Sequence, residues 1–523
     1  MKHRASKSSF FSSFQKLIGI AANTGSKSPP PDEVLQILNE KKVLSRRDLL
    51  KGFGSTAALF ALSGFPQFPK KNTSTRIAII GGGIAGLNAA YRLKKAGITA
   101  NIYEADNRIG GRILTYQDSV ARGMTAEFGG EFIDSDHLDM LSLVSELGLK
   151  LGDRHSESEK SLNPRVYFFG GLKYSEKEVI ESIRPYIARI KSDVAGLPRH
   201  LDLELPGKIT ALDNMSLAEY FEKIGISGWL KNLLETAYIT EFGLETSDQS
   251  ALNFLTMFSP EITEGFKIFG SSDERYIIKG GNSKLTEALS FQLKDNISLS
   301  HTLDSIKSKG KGFVLTFFSE GSTKDIEADI VLLAIPFSVL RGVDIKVDLP
   351  DWKKHAINEL GYGTNSKVLV GFTNPIWKKQ GFLGEVFSDE DFQLVWDNSQ
   401  LQSGDGVGLT SFTGGSKGID AGKGTLDFQC NKVMTGAEKV FPGLSSQSNG
   451  NKGRYHWTNN TLAKGSYSVY KPGQWTKIRG AESKPIGNLF FAGEHCSLEF
   501  QGFMNGAAQS GRTAAEKILK LLD

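Results

Sequence analysis

Arg76-Ile77-Ala78-Ile79-Ile80-Gly81-Gly82-Gly83-Ile84-Ala85-Gly86 is the stretch that decides how this chain folds. Residues 77–80 form a short β-branched apolar run, the pattern of a parallel strand buried on both faces. A helical pattern runs from Leu87 to about Lys95. A second strand covers Ala100–Tyr103 and ends at Glu104. Strand, GxGxxG, helix, strand and acid in this order predict a βαβ unit that holds a dinucleotide. Gly81 allows the tight turn, Gly83 lets the backbone approach a pyrophosphate, and Gly86 lets the helix pack closely on the strand. The pyrophosphate sits on the helix N-terminus, where free N–H groups favour negative charge. Glu104 is placed to accept from the ribose hydroxyls.

Working outward, Arg108-Ile109-Gly110-Gly111-Arg112 follows the second strand. A nicotinamide site has no need of this element. It resembles the second dinucleotide motif of FAD oxidases and desaturases, where a glycine loop passes the pyrophosphate and ribityl chain. Glu127-Phe128-Gly129-Gly130-Glu131 resembles the segment those enzymes set against the flavin. Near the C-terminus, Asn488–Glu494 reads as a strand ending on a Gly-acid turn. Gly502-Phe503-Met504-Asn505-Gly506-Ala507 opens a final helix. A helix N-terminus there would stabilise the negative charge that develops on the flavin upon reduction.

Together these segments resemble the flavin amine oxidase family, which includes monoamine, polyamine and L-amino-acid oxidases. Ile278–Leu285 and Val331–Pro336 also recur in it. The resemblance implies an α/β, two-domain fold: a Rossmann-type FAD domain plus an α+β substrate domain with a mixed sheet. The FAD domain would be discontinuous, taking in 76–155, 272–345 and 460–523, and the substrate domain would use 156–271 and 346–459. Arg112, Gly130, Leu303 (near the adenine), Glu494 (on the ribityl hydroxyls) and Met504 are the further cofactor residues it implies. FAD would be noncovalent, because Ser466 stands where monoamine oxidases carry a tethering cysteine.

By the same resemblance the chemistry is transfer of a hydride equivalent from an amine α-carbon to flavin N5, with O2 or another carrier as electron acceptor. Lys367, in Gly363-Thr-Asn-Ser-Lys367, aligns with a lysine that holds a water near N5. It has no sequence-adjacent carboxylate. Tyr467 and Phe503 match the aromatic pair that flanks the substrate nitrogen, and Trp457 is placed to line the same cavity. Glu131, Asp134, Asp136 and His137 form a polar cluster that would either reach the cavity, to suit a second cationic group, or serve as a solvated loop and helix cap. No arginine stands at 131–133 to pair an amino-acid carboxylate. The readings left open are oxidation of a small amine, L-amino-acid oxidation, a carotenoid-type desaturase and a flavin scaffold without turnover. A homodimer is compatible with all of them. His495 has no assigned role.

Composition bounds the rest. The 523 residues exceed one typical core, so two domains after a leader are expected. Residues 1–75 hold 12 Lys and Arg against 4 Asp and Glu, so the chain's net charge of +4 leaves −4 beyond the leader. The basic balance therefore belongs to the leader and gives no reason to expect nucleic-acid binding by the enzyme. Within the leader, Ser45-Arg46-Arg47-Asp48-Leu49-Leu50-Lys51 precedes an apolar run over Gly52–Phe65. This is the arrangement of a twin-arginine signal, and it predicts export of the folded holoenzyme to the periplasm by that machinery. Cys430 and Cys496 are the only cysteines; no CxxC and no metal-ligand spacing occur.

Overall fold

The computed structural model describes residues 74–156, 161–195, 197 and 207–522. The leader, with Arg46, Arg47 and its apolar run, lies outside the described residues. The β-branched run does form a buried strand: Ile77–Ile80 has all four side chains covered. It is the central strand of a five-stranded sheet. The order is Leu489–Phe491, Ile330–Leu333, Ile77–Ile80, Asn101–Tyr103, Ile297–Ser298, every pair parallel. Strands from four distant stretches thus share one sheet.

One face of this sheet packs on a four-stranded sheet made of Thr302–Lys309, Gly312–Ser319, Ser322–Ala328 and Asp344–Lys346. Ile80, Tyr103 and Leu333 meet Ile306, Leu315 and Phe317 there in one apolar core. The helix Ile84–Lys95 follows the glycine loop and packs against the C-terminal helix Met504–Leu522. Asn88, fully buried on the first, donates to the carbonyl of Ala508 on the second at 2.7 Å.

A seven-stranded mixed sheet carries the rest. Its order is Ser448–His456, Ser366–Phe372, Val407–Thr413, Leu394–Asp397, Phe382–Ser388, Asn163–Phe169, Leu172–Tyr174, antiparallel except where Phe382–Ser388 meets Asn163–Phe169. Ser366–Phe372 is buried throughout, so Lys367 enters the interior on a rigid strand. Helices including Glu176–Ala195, Leu217–Ile224 and Gly228–Phe242 build a separate core against Tyr167, Phe169 and Phe387 of this sheet. Ser216 and Glu219 close a reciprocal capping box at the start of Leu217–Ile224.

Cys430 and Cys496 are free thiols buried in different cores. Among the described residues no helix is long and apolar enough to cross a membrane.

Candidate active site

A single continuous cavity joins the glycine loop to the seven-stranded sheet. Gly81, Gly83, Glu104, Arg112, Gly130, Leu303, Lys367, Tyr467, Glu494, Phe503 and Met504 all line it. Gly86 does not, because it lies in the helix, against the loop. A Cβ at Gly86 would stand 2.1 Å from the carbonyl oxygen of Gly81. Gly81 itself needs a left-handed φ of +109°. Gly83 is different: a Cβ there would meet no protein atom within 4 Å, so its free side opens on the cavity. That is the cradle expected for a pyrophosphate.

Glu104 is buried, and burial raises its carboxyl above the ordinary range. The backbone N–H groups of Gly82 (2.5 Å) and Asp106 (2.8 Å) each bind one of its oxygens. A carboxylate has about four acceptor sites, so two remain for vicinal hydroxyls. Leu303 and His301 line the same end.

At the other end three segments are tied together by one buried carboxylate. Glu494 accepts from Arg112 Nη1 (2.9 Å), Ser468 N (3.0 Å), Ser468 Oγ (2.7 Å) and Gly502 N (2.9 Å). Burial pushes this carboxyl up, but the charge of Arg112 and the hydrogen bonds from Ser468 and Arg112 outweigh it, and the net shift is down. Its acceptor sites are all filled by protein, so the expected bond to ribityl hydroxyls gives way to another task. Glu494 clips the segments that carry Tyr467 and Phe503 to the arginine of the glycine motif.

Tyr467 is fixed at its far end by its hydroxyl, which donates to the carbonyl of Glu241 at 2.6 Å. The ring of Phe503 lies edge-on to His137 at 5.2 Å. Trp457 also lines the cavity and donates to the carbonyl of Phe128 at 2.9 Å. Gly130 presses on Met504; a Cβ there would be 2.8 Å from its sulfur.

Lys367 finds in the fold the carboxylate partner that its own stretch of sequence lacks. Its Nζ donates to Glu131 Oε2 (2.6 Å) and to the carbonyls of Gly129 (2.9 Å) and Glu127 (3.0 Å). The partner was invisible in sequence because it lies 236 positions away.

Of the polar cluster 131–137, Glu131 and Asp134 line the cavity and Asp136 and His137 do not. Asp134, Asp136 and His137 bring ligand-type atoms within 4.8 Å of one another, a grouping the linear spacing did not flag. Asp134 is engaged by the backbone N–H of Glu274 at 2.8 Å, and His137 Nδ1 accepts from the backbone N–H of Asp134 at 3.0 Å. His495 is buried against Phe337, its ring centre 4.4 Å away, and burial pulls it down to about 4, so it is neutral at pH 7.

Sequence reasoning missed Glu241, Glu274, Phe132, Trp396 and Phe412, all of which line the cavity. Burial, then the neighbouring carboxylates, push Glu241 up to about 8. Burial, with Glu385 next, pushes Glu274 up to about 7. Glu241 had a signal: it is a lone acid beside Tyr238, Ile239 and Phe242 on an otherwise apolar helix end.

The family model for flavin containing amine oxidoreductases matches residues 84–519. The chain belongs to that family. As a flavin amine oxidoreductase it is similar to a putative flavin-containing monoamine oxidase, AofH, of Mycobacterium tuberculosis, at 25% identity over 468 residues, covering 85% of this chain and 97% of that protein. A flavin-containing amine oxidase of Danio rerio is 24% identical over 466 residues, with 85% of each chain covered. Among solved structures, cyclohexylamine oxidase from Brevibacterium oxydans superposes with a TM-score of 0.75 at 22% identity, over 86% of this chain and all of that one. Putrescine oxidase bound to putrescine gives 0.73 at 20%, over 85% of this chain and 99% of that one.

The cofactor of this flavin amine oxidoreductase is FAD. The open face of Gly83, the two free acceptor sites of Glu104 and the cavity running on past Gly130 fit it. Neither cysteine lines the cavity.

Proposed function

We propose that the protein oxidises a small amine without an α-carboxylate to the imine, which water then hydrolyses to an aldehyde with release of ammonia or an amine, while O2 takes the electrons and gives hydrogen peroxide. Bound FAD supplies the acceptor for the hydride equivalent. The observation that carries the amine reading is the charge of the cavity. Its basic side chains are already engaged: Lys367 by Glu131, Arg112 by Glu494, and Arg108 by Asp106 and the carbonyl of Gly111. His301, at the adenosine end, binds the carbonyl of Leu299. A substrate carboxylate would meet no uncommitted cation among these side chains, and burying it unpaired is costly. Asp134, Glu241 and Glu274 supply carboxyls instead, and an ammonium entering beside them would favour their ionised forms and pair with them.

The protein's own part is to position and to dry the site. Tyr467 and Phe503 would flank the substrate nitrogen. Phe132, Trp396 and Phe412 exclude water around the carbon chain. A second cationic group on the substrate would be held by the carboxylates, in keeping with the similarity to putrescine oxidase.

The test is an anaerobic flavin-reduction screen with primary monoamines, diamines and L-amino acids. Bleaching by amines and not by amino acids is expected; rapid reduction by an L-amino acid alone would overturn the reading. Acid precipitation of the same protein should release yellow flavin to the supernatant, since Ser466 offers no thiol; colour kept in the pellet would count against noncovalent binding. We further propose export by the twin-arginine route. Changing Arg46 and Arg47 to Lys should strand active holoenzyme in the cytoplasm, and a double variant that still reaches the periplasm would end that reading.

A further inference from the structure

An ammonium has three N–H donors and no acceptor. All three of Lys367 are spent on the protein: Glu131 Oε2 at 2.6 Å and the carbonyls of Gly129 and Glu127 at 2.9 and 3.0 Å. The second oxygen of Glu131 accepts from the indole N–H of Trp396 at 2.9 Å. The ammonium lies 5.2 Å from the centre of that indole ring. The side chains of Lys367 and Glu131 are 6% and 9% exposed, so this is an interior ion pair and little screened by water. The loop that bears Glu131 is itself pinned. Asn282 Nδ2 donates to the carbonyls of Gly130 (3.0 Å) and Glu131 (2.7 Å).

Lys367, Glu131 and Trp396 come from three separate segments and all line the cavity beyond the pyrophosphate cradle. We propose that Glu131 is the fixed counter-ion of Lys367, and that the pair, held neutral, sets the electrostatic potential felt by the bound flavin. Glu131 is thus a positioning residue, acting through Lys367. The inference rests on the cavity being the flavin site, and not on which amine is the substrate.

The physical argument is one of sign. Two-electron reduction adds negative charge to the flavin. A bare ammonium in the wall would favour the reduced cofactor, a bare carboxylate would oppose it, and the low dielectric of the interior enlarges either effect. Paired, the two nearly cancel, while the pinned ammonium keeps a defined position. Glu127, whose carbonyl binds the same ammonium, has a side chain that burial pushes up to about 8. It stays protonated at pH 6 and cannot serve there as a substitute counter-ion.

The experiment is a reductive titration of the holoenzyme at pH 6, which needs no amine. Glu131→Gln keeps the shape and removes the negative charge. It should favour the reduced flavin about tenfold, a shift of about +30 mV. Lys367→Met should shift the potential the opposite way by a similar factor, and the double variant should return to within about threefold of wild type. Glu131→Asp and Lys367→Arg, which keep the charges, should stay near wild type. A side chain that merely fills the wall would not give opposite shifts that cancel. Shifts of one sign, or no shift in Glu131→Gln, would overturn the proposal. Should the Glu131 variants fail to fold, the contrast between Lys367→Met and Lys367→Arg still decides it: equal potentials would sink it. Failure of the amine screen with these shifts intact would fault the substrate reading alone.

Discussion

The two ends of the cavity are built by different rules. At the nucleotide end the backbone does the recognition. Gly81, Gly83 and the N–H groups of Gly82 and Asp106 come from one stretch of chain, and the side chain of Glu104 is joined only by Leu303 and His301 from a second segment. At the amine end the reverse holds. Glu131, Glu241, Lys367, Trp396, Tyr467 and Phe503 are side chains from six segments, fixed by one another and by Glu494. A backbone site admits no added atom where chain meets chain. A side-chain site can be retuned one residue at a time.

The largest effects should come from adding one methyl group at the nucleotide end. In Gly86→Ala the new Cβ falls 2.1 Å from a backbone oxygen, which no rotamer change relieves. Helix and strand must separate, and we expect little folded protein, a loss above about 3 kcal/mol. In Gly83→Ala the Cβ meets no protein atom. The apoprotein should then melt within about 2 °C of wild type and yet bind FAD poorly, because the methyl occupies the cofactor's approach. Thermal melts of both apoproteins and FAD titrations separate the two. Equal behaviour of the pair would show that the loop does not divide into a packing glycine and a binding glycine.

A smaller effect is expected from Glu104→Ala. Each lost charge-assisted hydrogen bond to the ribose should cost about 1.5–3 kcal/mol. FAD affinity should therefore fall at least tenfold, while the flavin, once saturating, keeps its reduction rate by amine. Equilibrium titration of apoprotein checks the first and stopped-flow the second. Unchanged affinity would mean that the free acceptor sites of Glu104 do not face the adenosine.

How far the sequence could be read follows from the same contrast. The strand, glycine loop, helix and acid lie within thirty residues, so spacing alone carried them, and the register of Ile77–Ile80 beside Asn101–Tyr103 matches that reading. The segments at 465–468 and 502–504 placed the aromatic pair Tyr467 and Phe503 on the cavity by resemblance. The ion pair of Lys367 and the clip of Glu494 were not legible. Their partners are 236 and 382 positions distant, and neither periodicity nor composition reports a contact of that range. Trp396 and Phe412 looked like ordinary strand residues, which they also are: edge-to-face at 5.6 Å, they pack on each other while lining the cavity.

The smallest predicted effect sharpens the comparison through pH. Glu494 and Glu241 are both cavity carboxyls, shifted in opposite directions. Glu494 ends below the ordinary range because Arg112 and its hydrogen bonds outweigh burial. Glu241 is pushed up to about 8, by burial first and then by the charges of Glu274 and Asp134. Between an unfolded value of 4.5 and about 8, the folded protein keeps a proton on Glu241 that the unfolded chain has released. Stability must then fall as pH rises through that window, and level off above it. Glu494 acts on the acid side, where its contribution is lost as pH falls through its depressed folded value; it is common to wild type and variant and cancels in their difference. Glu241→Gln cannot ionise, so its melting temperature relative to wild type should rise from pH 5 to pH 8.5, by about 3–5 °C. A saturating amine should narrow that gap, because an ammonium beside Glu241 stabilises the charged form that the glutamine lacks. A difference that stays flat from pH 5 to 8.5 would mean that Glu241 titrates as an ordinary carboxyl and already carries its negative charge in the free cavity at neutral pH.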